Sequence, residues 1–516
     1  MISGRSSLEP STVATSGHPE DFGLDLSGFT DQAIADLATR FATGTIDALT
    51  QTAASVGYCH RPVRMVGSST TVDRATGEVL STYRSKDAPL GVTYLPCGNR
   101  RASHCPSCSR LYAADTFHLL RAGVAGGKTV PEAVRENPLV FVTLTAPSFG
   151  AVHRAVSSGA CRAAARRPRC PHGVSMCCQA EHADDGRAGS PLCAVCYDYT
   201  THIVWQWFAP ELWRRFVIRL RRRLAARLGV TESRLGSVAT VQYAKVAEYQ
   251  TRGAVHFHGL VRLDGPRTDE GFAPAPVGLS AADLAEELRG AVAEVSCTAP
   301  PIDEGYPGHV LRFGRQVDVR IVRAERRPDQ PDGPLTAEQV AGYLAKYATK
   351  SIGDSLSGGP TAHYRRLRDE AQRIGRLARD RAEVVRSTGA VDADKEAVPY
   401  ERLGRWVWEL GFRGHFSTKS RRYSVTLGAL RRARRRWQSL AVESRRTGRP
   451  IDTDDLERRL LADEKETTLV VGSWMYSGTG WITEGDTALA VAAAARAREY
   501  AAARAARSLP VERNLP

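Results

Sequence analysis

Two pairs of residues have the types and the spacing needed for phosphate chemistry. His256 and His258 are two residues apart in a run that reads as a strand, so both imidazoles face one side. Tyr343 and Tyr347 are four residues apart in a helical pattern, which also places them on one side. A histidine pair can hold one divalent metal ion, and a phenol can attack a phosphate that the ion polarises. The combination indicates a tyrosine nuclease that cuts single-stranded DNA and stays covalently attached to it.

A third metal ligand depends on the length of the turn before the histidines. Residues 237–250 and 254–263 are predicted to be two strands joined by a tight turn. A three-residue loop places Glu248 opposite His256 on the same face, whereas a two-residue turn would place Tyr249 there. Imidazole and carboxylate ligands with open positions suit Mg²⁺ or Mn²⁺. A surface carboxylate is the alternative interpretation of Glu248.

The tyrosine segment also carries two cations at helical spacing, Lys346 and Lys350. A phenol is a poor nucleophile while neutral, because its pKa is about 10. Nearby ammonium groups favour the phenolate, so both lysines are predicted to assist catalysis together with Tyr343 and Tyr347. Taken alone, each pattern also fits ordinary packing: a structural histidine pair, and tyrosines that face a core while lysines face water.

Ten of the eleven cysteines lie between Cys59 and Cys196, and clustering of this kind indicates structural Zn²⁺ in a reducing compartment. Residues 151–200 also contain few apolar residues, so metal is expected to replace a core there. The predicted zinc ligands are Cys59, Cys97, Cys105 and Cys108 at one site, and Cys170, Cys178, Cys193 and Cys196 at a second.

Several alternatives remain open at these sites. His60 or His104 are substitutes at the first site, and Cys177 is an alternative to Cys178 at the second. Cys161, His172 and His182 lie near the second group. A redox-active CxxC is the competing interpretation, but neither CxxC pair follows a strand and opens a helix as in thioredoxin.

The charge balance favours a polyanionic partner. The chain has 71 basic and 56 acidic residues, a net charge of +15. An arginine-rich proteome explains such a balance equally well. In the C-terminal part, cations and aromatic side chains alternate, which suits phosphate contacts and base stacking, although a solvated helix face is the alternative. The predicted DNA-binding residues are Arg413, Lys419, Arg421 and Arg422.

No membrane segment is expected, because no stretch approaches about 20 apolar residues and the N-terminus lacks a signal pattern. A cytoplasmic location is therefore expected. A helix is predicted to begin near Pro210, with its apolar stripe in the core. The predicted division is a leader and short helix at 1–55, a zinc-knuckle region at 56–135, a nicking domain at 136–355 with a cysteine-rich insertion at about 155–200, and a basic, mainly helical region at 356–516.

Three segments in this order resemble the motifs of rolling-circle replication initiators of the HUH endonuclease superfamily. They are LVFVTLTAP (139–147), HFHGLVRL (256–263) and GYLAKYATKS (342–351). The cysteine groups and LGFRGHFSTKSRRYS (410–424) resemble those of initiators from actinomycete plasmids and integrative conjugative elements. This closer resemblance covers roughly residues 58–430.

The resemblance implies an α+β fold: an HUH-type central antiparallel sheet flanked by helices, zinc-knuckle insertions and a mainly helical C-terminal part. It also implies Mg²⁺ or Mn²⁺ and nicking of single-stranded or supercoiled DNA at a double-strand origin. Tyr347 matches the primary nucleophile, giving a 5′-phosphotyrosine and a free 3′-hydroxyl for host polymerase. Tyr343 matches either a second tyrosine or, in one-tyrosine relatives, an acid that activates water for the terminating step. Because this chain has Tyr there, termination by a second transesterification is expected. The chain has no GxxxxGK[ST] phosphate loop, so a host helicase is expected as a partner.

Three other functions compete with this interpretation. A two-tyrosine HUH transposase shares the chemistry and the zinc. A non-enzymatic zinc-containing DNA-binding regulator would need neither His256 nor Tyr347. A metal-dependent nucleotide hydrolase leaves the paired tyrosines unexplained.

Overall fold

The structure is a computed structural model that describes residues 27–155, 159–164, 166, 168–182, 186–268, 271–323, 335–349, 361–387, 398–462 and 468–508. Lys350 and most of the expected leader lie outside these residues. The strands are β1 (Val63–Asp73), β2 (Val79–Arg84), β3 (Thr93–Leu95), β4 (Leu139–Leu144), β5 (Thr240–Tyr249), β6 (Val255–Asp264), β7 (Cys297–Ala299), β8 (His309–Leu311), β9 (Val317–Arg323), β10 (Leu335–Thr336), β11 (Ser417–Lys419) and β12 (Thr468–Thr479). The helices are α1 (Asp31–Ala42), α2 (Ile46–Ser55), α3 (Pro106–Ala125), α4 (Tyr199–Arg227), α5 (Ala281–Glu294), α6 (Ala337–Thr349), α7 (Thr361–Ser387), α8 (Leu427–Thr447), α9 (Leu456–Leu461) and α10 (Glu484–Ser508).

The chain forms two compact units with mixed α and β structure. Unit 1 combines residues 1–112 with residues 464–516, and unit 2 comprises residues 113–463. These units cut across the segments expected from the sequence, because β12 near the C-terminus pairs with β1 near the N-terminus. The C-terminal part is mainly helical as expected, but β12 interrupts it with twelve residues of strand.

Unit 1 is built on an antiparallel sheet in which β1 is the central strand. β12 pairs with β1 along its whole length, and β2 and β3 pair with the opposite edge of β1. A small core lies beside this sheet, where buried side chains of α1, α2 and α10 meet Trp481. Three of the buried members of this core are cysteines, which the next subsection describes.

Unit 2 contains a six-stranded sheet in the order β10-β9-β4-β6-β5-β11. All of its pairings are antiparallel except the two-residue pairing of β10 with β9. One face of β4, β5 and β6 packs on α4 and α5 and forms the main core of the protein. The other face carries His256 and His258, since side chains alternate along β6.

The helix expected to begin near Pro210 begins eleven residues earlier, so that expectation is wrong. α4 starts at Tyr199, where the Asp198 carboxylate accepts a hydrogen bond from the backbone N–H of Thr201. Pro210 lies inside the helix and removes one backbone hydrogen bond. The helix continues on both sides because its residues are buried, including Trp205 before the proline and Trp213 after it. Core packing therefore outweighs the local preference of proline for a first turn.

None of the helices in the described part of the chain combines the length and the hydropathy that a membrane span requires.

Candidate functional site

The β5–β6 hairpin fixes the relative positions of three of the predicted site residues. The backbone N–H of Gln250 donates to the carbonyl oxygen of Ala254 at 2.9 Å, which closes a three-residue loop. Gly253 in this loop has φ of 79°, a conformation that favours glycine. With this loop, Glu248 pairs directly with His256, and the two-residue turn is ruled out.

Glu248, His256 and His258 bring one carboxylate oxygen and two ring nitrogens together. The Oε2 atom of Glu248 is 3.1 Å from Nε2 of His256 and 3.3 Å from Nε2 of His258. An octahedral ion with bonds of about 2.1 Å separates neighbouring ligand atoms by about 3.0 Å. The two distances from Glu248 therefore suit one Mg²⁺ or Mn²⁺ ion, and all three ligand atoms lie within 4.8 Å of one another. His256 and Glu248 are partly accessible, with side-chain exposures of 16% and 11%, whereas His258 is buried.

His258 is held from both sides of its ring. Its Nδ1 atom lies 3.1 Å from the hydroxyl of Thr143, which is directly opposite on β4, and its ring stacks on Phe141 at 5.7 Å. An Nδ1–H that donates to Thr143 leaves the lone pair of Nε2 directed at the site. Burial lowers the pKa of His258, which favours the neutral imidazole that binds metal.

Helix α6 places both tyrosines beside His258. The hydroxyl of Tyr343 is 3.4 Å from Nε2 of His258, and the Tyr343 and Tyr347 ring centroids lie 5.2 and 5.9 Å from the His258 ring. The two tyrosine rings are 4.5 Å apart. The side chain of Thr336 accepts a hydrogen bond from the backbone N–H of Gln339 and so caps the helix.

The two tyrosines are accessible from solvent to different extents. Tyr343 is 40% exposed, whereas Tyr347 is partly buried. Burial, together with nearby Tyr347 and Glu248, raises the pKa of Tyr343 well above its usual range. Its phenol is therefore protonated at neutral pH and needs a cation nearby before it can act. Lys346 is exposed on the same helix.

Two residues that sequence reasoning did not find hold the hairpin in place. The buried amide of Gln206 donates to the carbonyl oxygen of Gly253 and accepts from the backbone N–H of Val255, both at 2.9 Å. The guanidinium of Arg252 donates to the carbonyl oxygens of Ala146 and Pro147. Gln206 lies in a tryptophan-rich stretch of α4, and nothing in the local pattern marks it as different from its apolar neighbours.

A cation also faces the same side of the sheet near the site. Arg320 on β9 pairs with Phe141, and Asp318 pairs with Thr143, so both lie on the face that carries His258. Arg320 is 59% exposed at its side chain and forms an ion pair with Asp318 at 2.9 Å. The alternation of QVDVRIVRA predicts a strand, but it does not tell which face points to the site.

The first cysteine group assembles as the sequence predicted. Cys59, Cys97, Cys105 and Cys108 bring their sulfur atoms within 4.8 Å of one another. The sulfurs of Cys59 and Cys105 are 3.8 Å apart, and the backbone N–H of Cys97 donates to the Cys59 sulfur. Tetrahedral zinc with Zn–S bonds of about 2.3 Å places its sulfur ligands about 3.8 Å apart, so this group fits zinc. His60 and His104 do not belong to the group.

The second cysteine group differs from the expected set. Cys170, Cys193 and Cys196 lie together, and their fourth neighbour is His172. Cys178 lies instead in a separate group, which also contains His153, Cys161 and His182. The sequence could not divide these residues correctly, because both groups draw on distant parts of the loop.

The four predicted DNA-binding residues fall into two kinds of surroundings. Arg413 lies 4.5 Å over the ring of Trp207 and donates to its carbonyl oxygen. Lys419 donates to the carbonyl oxygens of Ser420, Arg421 and Ser424, and burial lowers its pKa to about 8. These two cations are engaged within the fold.

Arg421 and Arg422 line a cavity of about 510 Å³ at the start of β5, and Arg422 also donates to the carbonyl oxygen of Thr268. Arg221 and Arg267 contribute two further cations, and none of the described residues that line the cavity carries a carboxylate. Such a cavity suits a phosphate group.

The comparisons with known proteins place the chain among replication initiators. A family model described as "RepSA: Replication initiator protein, pSAM2" matches residues 45–495. The chain belongs to this RepSA family of replication initiator proteins. It is also similar to a "Replication initiator protein" of Streptomyces ambofaciens, with 40% identity over 438 residues that cover 83% of this chain and 85% of the relative. No solved structure matches the chain.

These matches confirm the resemblance to replication initiators of actinomycete elements. The HUH-type fold and the nicking chemistry stay predictions.

Proposed function

We propose that this initiator nicks one strand at a double-strand origin through a tyrosine, remains bound as a 5′-phosphotyrosine, and later rejoins the ends. One observation carries the proposal: the Glu248–His256–His258 group and the paired tyrosines meet on one face of the sheet. A structural histidine pair would not require an acid and two phenols at the same place. This arrangement is what the HUH resemblance implies.

The metal ligands and the nucleophiles have separate tasks in this proposal. Glu248, His256 and His258 would hold Mg²⁺ or Mn²⁺, and the ion, when bound, polarises the scissile phosphate. Tyr347 supplies the oxygen that bonds to phosphorus, while the 3′ oxygen of the preceding nucleotide leaves and takes up a proton. Tyr343 is assigned to the terminating cut: its oxygen bonds to the phosphorus of the regenerated site and releases a 3′-hydroxyl. That hydroxyl then attacks the Tyr347 phosphotyrosine, which re-forms a phosphodiester bond and frees the Tyr347 phenol.

The surroundings of Tyr343 support the proposal that a bound cation controls the ionisation of its phenol. The raised pKa of Tyr343 keeps that phenol neutral until positive charge is close. Lys346 and Lys350 are proposed to favour the phenolate form. Because the phosphotyrosine retains the energy of the phosphodiester bond, no ATP is consumed in nicking or in joining. Host polymerase would extend the free 3′-hydroxyl, and a host helicase would unwind the duplex.

The DNA would follow the cationic positions of unit 2. Arg320 lies on the catalytic face, and Arg421 and Arg422 line the arginine-rich cavity. We assign the Cys59, Cys97, Cys105 and Cys108 group to structural Zn²⁺, in which four thiolates replace part of the small core of unit 1.

The test is formation of a covalent protein–DNA adduct. Purified protein is incubated with Mn²⁺ and end-labelled single-stranded origin DNA, and adducts are separated in boiling detergent. Wild type is expected to give a labelled adduct that Tyr347→Phe abolishes. Tyr500→Phe is the matched control, because that tyrosine is 73% exposed and lies far along the chain in α10.

The other outcomes are equally informative. Loss of the adduct with Tyr343→Phe alone would keep the enzyme class and exchange the roles of the two tyrosines. An adduct that persists in Glu248→Gln and His258→Ala would contradict the metal site. Specific binding of the DNA with no adduct in any variant would favour the non-enzymatic regulator. If the adduct forms on the ends of an insertion sequence and not on origin DNA, the protein is a transposase.

A further inference from the structure

The described residues from 151 to 196, between β4 and α4, form no apolar core of their own. Among them, the buried ones are Cys161, His182, Gly189 and Cys193. Every buried side chain there is therefore a potential metal ligand, since glycine has none. The described backbone forms isolated bridges, such as Arg162 with Cys178, and no helix or longer strand. Fixing the conformation of such a polar segment costs conformational entropy, and the partial burial of Val152 against the main core offsets little of that cost.

Two groups of four ligand atoms lie in this loop. In the first group, the Cys161 sulfur is 3.7 Å from Nδ1 of His153, and the Cys178 sulfur is 3.2 Å from Nε2 of His182. The atoms of the group all lie within 4.8 Å of one another. The backbone N–H of Arg154 also donates to the Cys161 sulfur at 3.2 Å, as expected for a metal-bound thiolate.

The second group has the same dimensions. Nδ1 of His172 is 3.2 Å from the Cys196 sulfur, 3.8 Å from the Cys193 sulfur and 4.0 Å from the Cys170 sulfur. Tetrahedral zinc bound by sulfur and nitrogen separates its ligand atoms by about 3.3–3.8 Å. Both groups therefore fit a tetrahedral ion after small adjustments of side chains.

The ligands of the two groups alternate in pairs along the chain. His153 and Cys161 belong to the first group, and Cys170 and His172 to the second. The chain then returns to the first group with Cys178 and His182, and ends in the second with Cys193 and Cys196.

We propose that these eight residues bind two zinc ions in this interleaved arrangement, and we call the described residues between 151 and 196 the double-zinc loop. Each ion closes a segment that contains ligands of the other ion. Loss of one ion therefore frees the chain that positions the second, and the two sites are expected to fill and empty together.

The double-zinc loop also contacts the hairpin of the candidate active site. Gly189 is buried with φ of 85°, and a side chain there would lie 2.4 Å from the carbonyl carbon of Thr251 and 2.7 Å from the nitrogen of Arg252. Both residues belong to the turn between Glu248 and His256. The loop therefore supports the turn from outside while Gln206 holds it from inside. This supporting role, unlike the zinc binding, rests on the proposed function.

The first test counts metal in the intact protein. With the Cys59 group included, the described residues contain three groups of cysteine and histidine, so mass spectrometry of the purified chain should find about three zinc ions per chain. Cys178→Ser is expected to lower the content to about one. Cys177→Ser is the matched control: its sulfur lies near the hydroxyl of Ser175 and outside both groups, so it should keep all three ions.

Each alternative result has a definite meaning. About two ions in Cys178→Ser would show independent sites and overturn the interleaving. One ion or none in wild type, or equal losses in Cys177→Ser and Cys178→Ser, would overturn the sites themselves. If Cys178→Ser does not fold, timed removal of zinc from wild type by a chelator decides the question, because coupled sites release two ions in a single phase.

The supporting role has its own measurement. Hydrogen exchange of residues 250–254 should become faster when the two ions are removed, whether or not the protein nicks DNA. Unchanged exchange in that turn, after loss of both ions, would separate the double-zinc loop from the active-site hairpin. This readout does not use catalysis, so a failure of the nicking proposal would not be mistaken for a failure of the zinc proposal.

Discussion

Thr143 shows how a single hydroxyl can set the properties of a metal site. It lies directly opposite His258 and contacts the ring nitrogen that does not face Glu248. Removal of such a partner typically weakens metal binding by about 10- to 100-fold, because the ring loses its orientation and tautomer. Thr143→Val should therefore raise the dissociation constant for Mn²⁺ by about that factor, as followed by Mn²⁺ electron paramagnetic resonance.

Thr116→Val is the control for this change. The Thr116 hydroxyl is buried without a hydrogen-bond partner among the described residues, so its replacement removes no comparable contact. Equal Mn²⁺ affinities in Thr143→Val and wild type would show that the Thr143 hydroxyl does not orient the His258 ring.

Lys245 is a buried cation on the opposite face of β5. Its ammonium lies 4.6 Å from the ring of Phe257 and 5.7 Å from that of Trp213, and burial lowers its pKa to about 8. Below pH 8, lysine is charged in both the folded and the unfolded chain, so the full cost of burial is present. Between pH 8 and about 10.5, the folded protein releases the proton first, and stability contributed by this residue rises with pH.

Lys245→Met should consequently raise the free energy of unfolding at pH 7 by about 2 kcal/mol. Its advantage over wild type should shrink as the pH rises from 8 to 10, as measured by urea unfolding at several pH values. Lys419→Met is the contrasting variant: Lys419 has a similarly lowered pKa, but it donates to three carbonyl oxygens at 2.9–3.3 Å, whereas Lys245 has one long contact, 3.5 Å, with that of His415. That variant should be destabilised, and a constant advantage of Lys245→Met at every pH would contradict the buried charge.

At the scale of elements, helix α6 contains a glycine next to its first tyrosine. A side chain added at Gly342 meets no atom within 4 Å, and the position is exposed. Gly342→Ala should therefore stabilise the protein by about 0.5–1 kcal/mol in urea unfolding. If the DNA strand passes closely over α6, the same variant should nick more slowly even though it is more stable.

Gly259 on β6 provides the opposite case. A side chain there would lie 2.8 Å from Trp213 and 3.1 Å from Val142, so Gly259→Ala should cost about 1–3 kcal/mol. If Gly342→Ala lowered the stability by as much as Gly259→Ala, the Gly342 side of α6 would have to pack against another part of the protein.

The elements also explain which parts of the site the sequence could predict. The histidine pair and the tyrosine pair follow from local periodicity, because two residues on a strand and four on a helix return to the same face. The prediction that Glu248 lies opposite His256 depended only on the length of one turn. The first cysteine group followed from the spacing of its members, but the second set was divided wrongly: Cys178 joins His153 through the folding of the loop, and no local pattern records that. The predicted start of α4 was wrong because burial of residues such as Trp205 outweighed the local preference of Pro210 for a first turn.

At the scale of the whole molecule, the net charge of +15 predicts DNA binding that weakens steeply with salt. Each arginine that neutralises one phosphate contributes about one unit to the slope of log K against log salt concentration. Arg421→Ala should make that slope shallower by about one unit, as measured by fluorescence anisotropy of labelled origin DNA.

Arg413→Ala is the matched control, since Arg413 is stacked on Trp207 within the fold. It should leave the salt slope unchanged and lower the thermal stability instead. Identical slopes for wild type and Arg421→Ala would remove the arginine-rich cavity from the DNA path.

The pairing of β1 with β12 has a consequence for how the protein is made. A ribosome completes β1 roughly 400 residues before β12, and at about 5–20 residues per second this interval lasts tens of seconds. Unit 2, which is continuous in the chain, is synthesised entirely within that interval. Unit 1 can complete its sheet only after the ribosome has translated β12. A prematurely terminated product could thus keep the metal ligands and tyrosines of unit 2, yet it would leave β1 without the partner that runs along its full length.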